Sequence, residues 1–348
     1  MRIAVVVKYY PPLERVSGII GYLTVLNRQL AGKAELHVVT SRRRGDRCRL
    51  LEHDGYTVHR VGGCFPVSAG RAVRRLHPDA FLFVSGLFDL RVAGPYIEAF
   101  NQVVRRPGDG LFLQATHVRG MPNAAFLHAL RPYRRVLAAS AVIGDSLRPR
   151  VGDRLELLPP AVDIPAERTP RTAPLRVGFA NHLNRVKGAD VACQLIAEAV
   201  AVRPDVEAVV AGTGDLEDDV RSQLVGMDRV TVTGFLPEAQ RLELIGSCDV
   251  MLLPFRTAVS VLGVSQTVLE VMAAGNVVVG TDTDAINGAV EHGNTGLLGP
   301  LDGLGPLLAE VLDDPVGRVR LGTEARRVVA RDWDVAARAE RLVELLSG

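Results

Sequence analysis

The chain has 348 residues, 47% hydrophobic and 23% charged, which is too long for one ordinary domain and comfortable for two. That composition excludes a disordered chain, and no apolar run approaches the roughly 18 residues a membrane span needs. The net charge of +2 hides a split: residues 1–158 hold 24 Lys and Arg against 12 Asp and Glu, and the rest hold 17 against 27.

The opening MRIAVVVKYYPP runs straight into a strand-like stretch, Arg2–Val7, with neither the long apolar core nor the small-residue cleavage site of a signal peptide. Further strands are expected at Glu35–Thr40, Tyr56–Val61, Ala80–Ser85, Leu111–Thr116 and Ser140–Gly144. They are nearly continuously apolar, as parallel strands covered on both faces are. Helices are expected between them, as at Gly18–Leu30 and Val92–Val104. The stretch Leu158–Pro174 holds five prolines, which disfavour both helix and central strand, so it reads as an interdomain linker. The alternation then restarts. Strands are expected at Leu175–Ala180, Val206–Gly212, Val230–Gly234, Asp249–Pro254 and Asn276–Thr281. Helices are expected at Gly188–Ala201, Leu216–Val225, Pro237–Ser247, Ser265–Ala274 and Asp334–Leu346.

The resulting division is an N-terminal Rossmann-like domain at 1–158, a linker at 159–174, a second such domain at 175–330 and a C-terminal helix at 331–348 that packs back on the first domain. The fold class is α/β, with two doubly wound sheets facing across a cleft. Open sheets of this kind bind ligands at the carboxyl ends of their strands, so facing edges suit two substrates.

The four cysteines, Cys48, Cys64, Cys193 and Cys248, are scattered without metal-ligand spacing, which suits reduced thiols in a cytosolic protein. The basic first half, with SRRRGDRCR at Ser41–Arg49, has two readings: solvated faces or attraction between domains, and contact with an anionic acceptor or membrane surface.

Lys187 and Gly188 sit where a strand and polar loop lead into a helix. Helix N-termini favour phosphate, and Arg185 and Lys187 add charge there. The chain has three lysines, Lys8, Lys33 and Lys187, against 38 arginines, so a lysine at such a point is worth marking. Gly234 and Phe235 end a strand, and backbone at Gly234 could approach a flat base closely. Glu270 lies in the first turns of a helix, where the dipole tolerates its charge and a carboxylate accepts well from a diol.

The ordered set of segments resembles the retaining nucleotide-sugar glycosyltransferases of family 4, with the GT-B fold. It runs from Pro11-Pro12 and SGIIG (Ser17–Gly21) through HPDAFLF, ATH (Ala115–His117), AVIGDS and LPPAVD, then KG, GTGDLE, VTGFLP, CDVMLLPF, VLEVMAAG and VEHGNTGLL. The resemblance implies transfer of a sugar from a nucleoside diphosphate donor, UDP, GDP or dTDP, with the anomeric configuration kept and without a metal or other cofactor. It implies that His117 faces the donor sugar and that Arg185, Lys187 and Gly188 hold the diphosphate. It further implies that Gly18 and Gly21 line the cleft near the phosphates, and that Gly234 and Phe235 and the stretch Leu262, Gly263, Val264, Ser265 contact the donor. Glu270 would hold the ribose hydroxyls. The Asp-x-Asp of TDTD (Thr281–Asp284) reads as a polar loop near the donor.

The chain departs from the family pattern in two places. The first glutamate of the family's E-x-x-x-x-x-x-x-E motif would fall eight positions before Glu270, where this chain has Leu262, and no Asp or Glu occurs from Val250 to Leu269. Three explanations stay open: a donor that is modified or lacks the usual hydroxyl, a substitute contact from Ser260, Ser265 or a backbone amide around Gly263, or loss of transfer. The arginine the family places five residues before the lysine is His182 here. The acceptor is a small molecule or a lipid of the cell envelope. The location is the cytoplasm, or the inner membrane face through the basic half. The rivals are another reaction on the same fold, such as epimerisation or coupling, and a non-catalytic nucleotide-binding partner protein.

Overall fold

A computed structural model describes residues 1–11, 18–43, 46, 49–86, 90–104, 106–114, 123–167, 174–256 and 263–348. The chain divides into two compact units, one of residues 1–161 and 335–348, the other of residues 162–334.

The first unit contains β1 (Arg2–Val7), α1 (Gly18–Ala31), β2 (Glu35–Ser41), β3 (Leu50–His53), β4 (Tyr56–Val61), α2 (Phe65–Leu76), β5 (Ala80–Ser85), α3 (Leu90–Asn101), β6 (Gly110–Gln114), α4 (Ala124–Leu130), β7 (Arg135–Ala138), α5 (Ala141–Val151) and β8 (Leu155–Leu157). Its sheet runs in the order β3-β4-β2-β1-β5-β6-β7-β8. All pairings are parallel except that of β3 with β4. The apolar runs earn this place: all of β5 and β6 is buried, as strands covered on both faces must be. Phe81, Phe83, Phe100, Phe112 and Tyr133 pack ring against ring in that core. Asn101 donates to the Ala129 carbonyl and accepts from the Tyr133 hydroxyl, so the buried phenol does not go unbonded.

The second unit contains β9 (Leu175–Ala180), α6 (Ala189–Val202), β10 (Val206–Ala211), α7 (Glu217–Leu224), β11 (Val230–Gly234), α8 (Glu238–Ser247), β12 (Val250–Leu253), α9 (Gln266–Ala273), β13 (Val277–Thr281), α10 (Asp284–Asn287), β14 (Leu297–Gly299), α11 (Leu304–Asp313) and α12 (Pro315–Asp332). The sheet is parallel throughout, in the order β11-β10-β9-β12-β13-β14. Two separate clusters of buried side chains, one on each side of the sheet, pack it against the helices. The strand order reverses between β9 and β12, which places the switch point of the sheet beside the loop that follows β9.

The last helix, α13 (Val335–Ser347), belongs to the first unit. Arg134 donates to the carbonyls of Leu345 and Leu346 at its carboxyl end, Lys33 pairs with Glu340, and Arg341 with Glu156. The described part of the proline-rich stretch has neither helix nor ladder strand. Val162 makes an isolated bridge with Asp334 there. No described helix is long and apolar enough to cross a membrane.

One expected strand is corrected. Ser140–Gly144 is not a strand: Ser140 is the N-cap of α5, its hydroxyl accepting from the Ile143 amide at 3.3 Å, and residues from Ala141 on are helical. The apolar triple Ala-Val-Ile suits either state over so short a run, and the capping hydroxyl decides it. The strand of that region is β7, five residues earlier.

Candidate functional site

The loop after β9 is shaped by local bonds. Asn184 accepts from the Lys187 amide at 2.9 Å, and the Gly188 amide donates to the Arg185 carbonyl at 3.1 Å. Gly188 then caps α6 with φ +68°, a left-handed conformation. A Cβ on Gly188 would lie 2.0 Å from the carbonyl oxygen of Pro254, at the end of β12. Only glycine lets these two loops meet. The Arg256 amide closes the same contact by donating to the Val186 carbonyl at 3.0 Å.

This contact seats Lys187. Its ammonium lies 3.9 Å from the centroid of the buried Phe255 ring, and burial pushes its pKa down from 10.5 to about 8. Among the described residues no carboxylate pairs with it. The result is a desolvated cation beside the N-terminus of a 14-residue helix, at the switch point of the sheet.

Its neighbour Arg185 is exposed and stands 3.7 Å from Asp190, whose carboxylate is already held by both guanidinium nitrogens of Arg256, at 2.8 and 2.9 Å. Lys187, not Arg185, is therefore the cation set into the fold. His182 is exposed in the same loop.

The other carboxyl ends close round this point. The Gly212 amide, after β10, donates to the Gly234 carbonyl, at the end of β11, at 2.8 Å. A Cβ on Gly212 would meet the Asn181 carbonyl of the β9 loop at 1.9 Å. Asn181 in turn comes within 3.5 Å of Thr267 in the first turn of α9. Gly234 has φ +74°, and Phe235 beyond it is 49% exposed, unusual for a large aromatic ring. Gly263 has φ +84° and leads into Val264 and Ser265, both buried, with Ser265 at the N-cap of α9.

Glu270 is 5% exposed on α9. Its two carboxylate oxygens take Nη1 and Nη2 of Arg241, on α8, at 2.5 and 2.8 Å. A buried carboxylate needs such a partner, and the sequence reading missed it. Phe255 and Arg256 were missed too. All three are ordinary residues whose importance depends on a contact far along the chain.

The second unit thus brings Arg185, Lys187, Gly188, Gly234, Phe235, Gly263, Val264, Ser265 and Glu270 onto the carboxyl ends of its own strands and the helices that follow them. Gly18 and Gly21 belong to the first unit, in the first turn of α1, and a Cβ on Gly21 would meet nothing within 4 Å. His117 and Leu262 lie outside the described residues, as do Ser17 and Ser260. Thr281 ends β13 and donates to the Phe255 carbonyl at 2.6 Å, and Asp284 opens the short α10.

Comparison with known proteins agrees with this architecture. Residues 174–313 match the family described as glycosyl transferases group 1. The phosphatidyl-myo-inositol mannosyltransferase of Mycolicibacterium smegmatis is 28% identical over 289 residues, 76% of this chain and 72% of that protein. The alpha-D-kanosaminyltransferase of Streptomyces kanamyceticus is 27% identical over 171 residues, 47% of this chain and 43% of that protein. Among solved structures, Anabaena Alr3699/HepE in complex with UDP superposes with a TM-score of 0.75 at 16% identity, covering all of both chains. The chain has the GT-B fold, and these likenesses support a glycosyltransferase of family-4 type.

Proposed function

We propose that the protein transfers a sugar, with retention and without a metal, from a nucleoside diphosphate sugar to a hydroxyl of a lipid or small-molecule acceptor. The observation that carries this reading is the desolvated Lys187 ammonium at the start of α6, fixed by the contact of Gly188 with Pro254. A leaving diphosphate gathers negative charge as the glycosidic bond breaks. A cation already in place at the positive end of a helix dipole stabilises that charge without reorganisation. Arg185 adds an exposed positive charge at the rim.

Phe235 offers an exposed ring for a base, Glu270 accepts from the ribose hydroxyls, and Gly263–Ser265 borders the sugar. The family resemblance further implies that His117 serves the sugar. The acceptor is held by the first half of the chain, whose excess of arginine favours an anionic group such as a lipid phosphate. A lipid acceptor agrees with the name of the mycolicibacterial relative. Relatives and fold neighbours support two donor bases: one relative's name contains GDP-mannose, and one neighbour was solved with UDP.

Calorimetric titration of UDP, GDP and dTDP and their sugar conjugates, on the wild type and on Glu270→Gln, tests the reading. One nucleotide should bind well and be weakened about tenfold by the substitution, the loss expected for a charge-assisted hydrogen bond. Absence of binding by every nucleotide would overturn it. A second reading, a nucleotide-binding partner protein without turnover, rests on Leu262 standing where the family has a glutamate. Binding without transfer to any acceptor, together with a stable complex with another transferase, would favour it.

A further inference from the structure

The geometry points to Arg241 as a positioning residue that gives the donor site its selectivity for ribose. This inference rests on the proposed function and adds to it a residue outside the site predicted from sequence. Glu270 is almost wholly buried, and an isolated carboxylate there would be neutralised or would swing out to water. Arg241 prevents both. Its Nη1 and Nη2 reach Oε2 and Oε1 in a two-pronged contact, at 2.5 and 2.8 Å. Such a fork fixes the plane of the carboxylate as well as its charge.

Two consequences follow for a ligand. Each carboxylate oxygen has two lone-pair directions, and the fork takes one from each. The remaining two point outward from opposite edges of the carboxylate, so a ribose meets one of them, on one oxygen, in a fixed direction. A carboxylate free to rotate would present no such fixed acceptor. The second consequence is electrostatic. The pair is neutral as a whole, so the ribose subsite does not set a bare negative charge near the diphosphate.

The chain path supports this role. Arg241 stands in the first turns of α8, directly after the Gly234–Pro237 turn that carries the exposed Phe235. One short segment therefore supplies the ring proposed for the base and the clamp on the carboxylate proposed for the sugar next to it. The Arg241 side chain is only 26% exposed, against 4% for that of Glu270, so the pair ties α8 to α9 inside the unit.

The test is a set of calorimetric titrations with the nucleoside diphosphate that binds best and its 2′-deoxy and 3′-deoxy counterparts. They are run on the full chain as wild type, Arg241→Met, Arg241→Lys, Glu270→Gln and the double variant Arg241→Met/Glu270→Gln. The wild type should prefer the ribonucleotide about tenfold or more at one hydroxyl at least, the ratio expected when a charge-assisted hydrogen bond is lost. Arg241→Met should bring that ratio close to one, and the double variant should discriminate no less than Glu270→Gln alone. Arg241→Lys keeps the charge but not the fork. It should lose most of the preference while melting near the wild type, and it carries the test should Arg241→Met fail to fold. Variants that lower the melting temperature yet keep the wild-type ratios would show a purely structural tie and overturn the inference while leaving the proposed function intact. A wild type that binds no nucleotide would overturn both.

Discussion

Replacing Lys187 by methionine should make the empty protein more stable and the donor complex weaker, and both effects should depend on pH. Burial lowers the ammonium pKa from 10.5 to about 8. The folded state therefore resists the charge that the unfolded chain carries freely. The sign is the reverse of a lysine that gains a partner. The penalty is fully present below pH 8, shrinks as pH rises from there, and is gone above about 10.5. A shift of that size corresponds to about 3 kcal/mol at pH 7, so Lys187→Met should stabilise the free protein by up to that amount.

Donor binding reverses the balance, because a diphosphate beside the ammonium raises its pKa again. Below pH 8 the lysine is charged in both states and affinity should be level. Above it, binding must take up a proton, so affinity should fall roughly tenfold by pH 9 and continue to fall about tenfold per pH unit. Calorimetric titration with a sugar nucleotide from pH 6.5 to 9, in buffers of differing ionisation enthalpy, reads both affinity and proton uptake. The Lys187→Met series provides the baseline for any titration of the base. Affinity level from pH 7 to 9 in the wild type, or the same slope in both proteins, would show that Lys187 does not meet the diphosphate.

Gly188→Ala should cost about 3 kcal/mol or more in thermal unfolding, since its Cβ meets the Pro254 carbonyl and its φ is left-handed, and donor affinity should fall with it. Phe235→Ala should leave the melting temperature within error, because the ring is half exposed, and weaken nucleotide binding by about 1–3 kcal/mol if a base stacks there. An unchanged dissociation constant would remove Phe235 from the site. Ser140→Ala should lower stability by about 1 kcal/mol through loss of the α5 cap, measured by denaturant unfolding, with no effect on nucleotide binding. Binding to anionic vesicles through the basic first half should weaken steeply between 50 and 300 mM salt, roughly the range over which the Debye length falls below 10 Å. Salt-independent binding would argue for apolar insertion instead.

The sequence by itself determined the two α/β halves. Runs such as Arg2–Val7, Ala80–Ser85 and Leu175–Ala180 are apolar at nearly every position, and their regular alternation with helical stretches suits strands buried on both faces. It also marked Lys187, Gly188, Gly234 and Glu270, because glycine and lone charged residues at strand–helix junctions are local signals. Short elements escaped it. β3, β8 and β14 have three or four residues each, too few for a period, and Ser140–Gly144 reads as a strand until its serine is seen to cap a helix. Tertiary structure alone decided what the marked residues touch. Gly188 must be glycine because of Pro254, 66 positions later, and the Lys187 pKa falls because the fold lays the ammonium on Phe255. Glu270 is tolerated in the interior because Arg241, on a different helix, neutralises it. Helix and strand periods are written in neighbouring residues. Desolvation and ion pairing depend on which distant residues the sheet order brings side by side.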